Sequence, residues 1–76
     1  MDANVTDDYG NTPLHLAAET GIIEIVRWLC EKKRAAITVL NDDGQTPLHV
    51  ASFLGNVEVE TYLRNREKMF RARWGG

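Results

Sequence analysis

The chain repeats itself at a fixed spacing. Asp8-Tyr9-Gly10-Asn11-Thr12-Pro13-Leu14-His15-Leu16-Ala17-Ala18 returns as Asp42-Asp43-Gly44-Gln45-Thr46-Pro47-Leu48-His49-Val50-Ala51-Ser52, displaced by 34 residues at every position. The match runs on through Gly21 and Gly55, Glu24 and Glu58, Ile25 and Val59, and Leu29 and Leu63. A period of this length marks supersecondary units that cannot bury an apolar face alone and stack to make a common core. Two copies fill most of the 76 residues, so the core must be small and its stability marginal.

Each copy reads as a pair of helices behind a turn. Thr12 and Thr46 offer an N-cap oxygen, followed by Pro13 and Pro47 at the first helical position, where a missing N–H costs nothing. Leu14, Ala17 and Ala18 form a narrow apolar stripe of small side chains that lets a neighbouring helix come close. Gly21 and Gly55 fall where this short helix must end, a position that favours a left-handed residue. Beyond them Ile22, Ile25, Val26 and Leu29, then Val59, Tyr62 and Leu63, recur at the spacing of a second, longer helix. The Asp-rich stretches ahead of Gly10 and Gly44 are turn chemistry.

The two Thr-Pro-Leu-His boxes and the run Gly21-Ile22-Ile23-Glu24-Ile25-Val26 resemble the ankyrin repeat. The resemblance covers roughly residues 5–64 and implies a mainly α solenoid of two helix-turn-helix repeats with β-turn or hairpin fingers. Repeat one would take about residues 7–40 and repeat two about 41–64, with a helical extension over 65–76, all in one domain. The sequence departs from the family in three places. The period is one residue longer than usual, and Lys33 and Arg34 stand where a glycine normally ends the second helix, so that helix is expected to run on or fray. Glu60 and Arg64 replace apolar positions in repeat two, as a capping unit would require. Repeat one keeps its apolar positions, with Ile22 where the family usually carries a polar residue, so its outer side expects cover from a partner or a second copy.

Composition excludes several classes of function. One cysteine permits no internal disulfide and suits a reducing compartment, cytoplasmic or nuclear. The acidic N-terminus carries no apolar signal-like run, and the apolar clusters fall far short of the roughly 20 residues of a bilayer span. His15, His49 and Cys30 have no zinc spacing and no orienting third group, so neither a metal site nor a Cys–His nucleophile is indicated. No glycine-rich nucleotide loop and no calcium loop is present, and no cofactor is expected. By the resemblance His15 and His49 are structural, bonding backbone groups of a neighbouring turn, alongside Thr12, Pro13, Gly21, Thr46, Pro47 and Gly55.

A non-catalytic module that binds another protein is the reading that remains. By resemblance the contact positions are those the repeat leaves without structural duty on the turn tips and the exposed end of the first helix. They are Asp8, Tyr9, Asn11, Glu19 and Thr20 in repeat one, and Asp42, Asp43, Gln45, Phe53 and Leu54 in repeat two. Phe53 and Leu54 stand out because their counterparts Glu19 and Thr20 are polar. Charge divides the chain: residues 1–63 carry four basic groups against ten acidic, and residues 64–76 carry five basic against Glu67 alone. The tail, with Leu63, Phe70 and Trp74 on one helical face, could cap the stack or engage an anionic surface or an acidic protein; nucleic acid is the weaker reading on so acidic a body. The chain could also be the terminal part of a longer array.

Overall fold

In a computed structural model, residues 5–75 are described, with side chains through residue 69. Four helices follow in order: α1 Pro13–Thr20, α2 Ile23–Glu31, α3 Pro47–Leu54 and α4 Val57–Gly75. Helix α1 packs on α3 and on α2, and α3 on α4, so the short helices form one layer and α2 and α4 the layer behind. No strand occurs among the described residues; the fingers ahead of α1 and α3 are tight turns.

Local chemistry sets both ends of the short helices. Thr12 accepts from the His15 N–H at 3.3 Å while the Thr12 N–H donates back to His15 Nδ1 at 3.1 Å, so histidine closes a capping box where glutamate more often would. Thr46 and His49 form the same box in repeat two. Helix α1 ends at Gly21, whose φ of 76° lies in the left-handed region. There a side chain would face a second obstacle, since an added Cβ would sit 3.0 Å from Asn56 Oδ1. Asn56 Nδ2 in turn donates to the Ala18 carbonyl at 2.7 Å, satisfying one of the free carbonyls at the end of α1.

The core is built from small side chains where the inner helices meet: Ala17, Ala18 and Ala51, with Leu14, Val26, Leu29, Val59 and Leu63 closing it from both layers. Its two ends differ. At the 34-residue offset, Ile25 is 42% exposed while its counterpart Val59 is 0% exposed, because repeat one covers Val59 and no described residue covers Ile25 in the same way. Leu16, Ile22 and Trp28 extend that apolar end face. At the other end Glu60 and Arg64 pair at 2.9 Å where repeat one has Val26 and Cys30, a polar surface suited to solvent.

Two expectations for the second helices change. Helix α2 neither runs on nor frays: it begins at Ile23, leaving Ile22 at the N-cap, and ends at Glu31. The Lys32 and Lys33 N–H groups both donate to the Trp28 carbonyl, and Ala35 N–H donates to Leu29. Arg34 takes the left-handed place with φ 52°, the sole non-glycine residue of positive φ among those described. The connector must reverse here to lay the second finger beside the first, and an arginine bears the strain. Helix α4 continues through the tail to Gly75, as the expected extension requires; the side chains of Phe70 and Trp74 lie outside the described residues.

A left-handed non-glycine residue costs about 1 kcal/mol. Arg34→Gly should therefore raise the melting temperature by about 4–8 °C per kcal/mol recovered, less the extra chain entropy of glycine, as scanning calorimetry would register.

Candidate functional site

The fingers are organised by their first residue. Asp7 Oδ1 accepts from the Tyr9 and Asn11 N–H groups, both at 2.9 Å. Its counterpart Asn41 accepts from Asp43 at 3.0 Å and Gln45 at 2.9 Å. Donation to the charged form, chiefly from the Asn11 N–H, holds the Asp7 carboxyl below its ordinary range. The fingers are then tied to each other: Asp42 N–H donates to the Tyr9 carbonyl at 3.0 Å and Asn41 Nδ2 to Asn11 Oδ1 at 2.9 Å. Close approach needs Gly10, where a Cβ would lie 2.6 Å from Asp42 Oδ1.

His15 joins the fingers to the helices. It is 1% exposed. Because Nδ1 accepts from Thr12 N–H, Nε2 carries the proton and donates it to the Gln45 carbonyl at 2.7 Å. His49 keeps only the local half of this arrangement. Its Nδ1 faces Thr46 N–H at 3.4 Å and its side chain is exposed, since no described finger follows repeat two.

Fingers and short helices together enclose a groove of about 410 Å³ lined by Asn11, His15, Glu19, Asn41, Asp43, Gln45, Val50, Phe53 and Leu54. Six of the ten residues expected to touch a partner are in that lining. Asp8, Tyr9 and Asp42 sit on the finger tips outside it, with Tyr9 72% exposed. Thr20 is neither in the groove nor idle. Its hydroxyl donates to the Ala17 carbonyl at 2.7 Å and accepts from Ile22 N–H at 3.2 Å, helping to end α1. Asn11 and Gln45 also carry structural bonds, so the expectation that these positions have no structural duty is corrected for all three. The roles of Asn41 and Asn56, and the place of Val50 in the groove, were not anticipated from the sequence. Asn41 lies one step ahead of the repeated run, in the same register as Asp7, and that register was the signal available.

The groove wall is acidic through Glu19 and Asp43, and its apolar element is Phe53, 82% exposed, beside Leu54. No three His, Cys, Asp or Glu side chains among the described residues converge to hold a metal. Burial pushes the Cys30 thiol up, the wrong direction for a nucleophile. No helix among the described residues is long and apolar enough to cross a membrane.

Comparison with known proteins places this geometry. The family model described as ankyrin repeats (3 copies) matches residues 1–71. No curated protein matches the chain. Among solved structures, a chain in the crystal structure of the yeast ribosomal protein Rps3 in complex with its chaperone Yar1 superposes with a TM-score of 0.81 at 33% identity. That match covers 84% of this chain and 43% of the other, so this chain spans less than half the length of its structural neighbour.

The two histidines share a capping box but not a tertiary role, which a stability measurement can separate. His49→Ala should cost about 1 kcal/mol, the value of a cap. His15→Ala should cost about 2–4 kcal/mol, because it also leaves the Gln45 carbonyl without its donor and opens a cavity. Urea unfolding of the two variants gives the comparison, and equal losses would contradict the bridging role of His15.

Proposed function

Because the chain belongs to the ankyrin-repeat family, we propose that it is a non-catalytic protein-recognition module that takes its partner in the groove between fingers and short helices. The two repeats, about residues 7–40 and 41–64, act as one domain with residues 65–76 as its extension. The observation that carries this reading is Phe53. An aromatic ring 82% exposed has no packing role among the described residues, and with Leu54, 48% exposed at the end of the same helix, it forms an apolar anchor. Around it Glu19, Asp43 and the tip residues Asp8 and Asp42 set a negative rim, with Tyr9, Asn11 and Gln45 as further contacts. The partner is then a protein surface with an apolar centre and basic surroundings. The structural neighbour comes from a complex between a ribosomal protein and its chaperone, which supports a protein as the occupant.

Burying each of these side chains contributes about 1.5–3 kcal/mol. Phe53→Ala and Leu54→Ala should each weaken partner affinity about 10- to 150-fold, and Phe53→Ala should leave the melting temperature unchanged. Calorimetric titration against a partner captured with the wild-type chain tests this. Unchanged affinity in both variants, and in Tyr9→Ala and Gln45→Ala as well, would remove the groove from consideration.

A second reading concerns the apolar end face. Leu16, Ile22, Ile25 and Trp28 are each 42–50% exposed at positions whose counterparts in repeat two lie against repeat one. Ile22 also replaces the amide that Asn56 uses to bond the preceding helix end. Such a face favours association with a second copy. Sedimentation velocity should show a concentration-dependent dimer that Trp28→Glu abolishes; a monomer at millimolar concentration would refute it.

A further inference from the structure

Eight of the nine basic residues of this acidic chain fall on two short stretches, 32–34 and 64–73. The fold brings Arg34 of the first stretch and Arg66 of the second to one recess. Between the connector after α2 and the shaft of α4 lies a groove of about 790 Å³ lined by Cys30, Glu31, Arg34, Ala35, Ala36, Ile37, Thr38, Arg66 and Met69. It shares no residue with the groove that holds Phe53.

Both walls are departures from the repeat. At the 34-residue offset Glu31, the last residue of α2, corresponds to Asn65, yet α4 runs on to Gly75, a further length of about 15 Å at 1.5 Å per residue. The opposite wall is the lengthened connector, with Arg34 held at φ 52°. The floor is apolar: Cys30 and Ala35 are buried and Ile37 is half-buried, while Met69 stands at the rim. Arg34 is exposed, and Arg66 lies 5.7 Å from the Tyr62 ring with one N–H directed at the Tyr62 hydroxyl at 3.3 Å. Its remaining donors are not taken up by Tyr62. Glu31, the acidic lining residue, accepts from Tyr62 at 2.9 Å and pairs with Arg27 at 3.5 Å, so its carboxylate already has partners of its own.

We infer that this groove binds an acidic peptide segment of a partner protein, one apolar side chain on the Cys30–Ala35–Ile37 floor and flanking carboxylates on Arg34 and Arg66. Guanidinium groups pair with carboxylates in planar, two-pronged geometry, and clustered arginines are a common device for reading acidic motifs. A nucleic-acid strand fits less well. No described lining residue offers an aromatic ring for a base to stack on. A bilayer would require a protruding apolar face, and this one is recessed.

The test is fluorescence anisotropy on the full chain at about 0.15 M salt, using a fluorescein-labelled peptide with one phenylalanine between two runs of three glutamates. Saturable binding is expected, weakened about tenfold or more in Arg34→Gly and in Arg66→Gln, and unchanged in Phe53→Ala. Arg34→Gly relieves backbone strain, and its melting temperature is the check that a loss of affinity does not come from unfolding. Replacing the peptide's phenylalanine by glycine should also weaken binding about tenfold. The inference is overturned if both arginine variants bind like wild type, or if the peptide without phenylalanine binds equally. It is also overturned if a 20-residue oligothymidylate or phosphatidylserine vesicles bind more tightly than the peptide.

Discussion

The imidazole of His15 is held by Thr12 on one side and by the Gln45 carbonyl on the other. One nitrogen closes the cap of α1 and thereby fixes the tautomer, and the other can then only donate. The ring is buried, so both bonds form away from competing water. Through it the start of one helix and the turn ahead of the next repeat become a single rigid unit. The finger-to-finger bonds of Asp42 and Asn41 depend on that alignment, as does the close approach at Gly10. In repeat two the same ring has only its local partner and is exposed, which distinguishes what the box does for a helix from what it does for a stack.

The packing that follows is economical because the side chains at the contact are small. Alanines at positions 17, 18 and 51 bring the inner helices together, and the larger residues of α2 and α4 close the core behind them. A core of this size leaves little reserve. The ends of the stack meet that constraint differently. The end formed by α4 presents an ion pair and tolerates water, while the end formed by α2 leaves isoleucines and a tryptophan half-covered.

Charge is arranged on the same scale as the fold. The groove by the fingers carries carboxylates around Phe53, and the groove under α4 carries guanidiniums around an apolar floor. A net charge of −2 conceals this division. Two recesses of opposite sign with no shared residue give a short chain two chemically distinct surfaces.

Much of this was legible in the residues because it is local. Thr12 and Pro13 begin a helix, Gly21 ends it, and the 34-residue register declares that the unit occurs twice; each follows from neighbours a few positions apart. The sequence also marked Phe53 and Leu54, since a repeat exposes any apolar pair its sister unit lacks. What it could not supply were consequences of distance. The resemblance implied a neighbouring-turn bond for both histidines; that, among the described residues, only His15 finds one, in Gln45 thirty residues on, is a tertiary fact. So is the ending of α2: the local residues favoured a longer helix, but the second finger must return to bond Tyr9, and that requirement puts Arg34 in a conformation its side chain disfavours. The basic groove was invisible for the same reason, because only the fold brings residues 34–38 against residues 66–69. Local stereochemistry determined the units, and the closure between them decided which surfaces were left exposed.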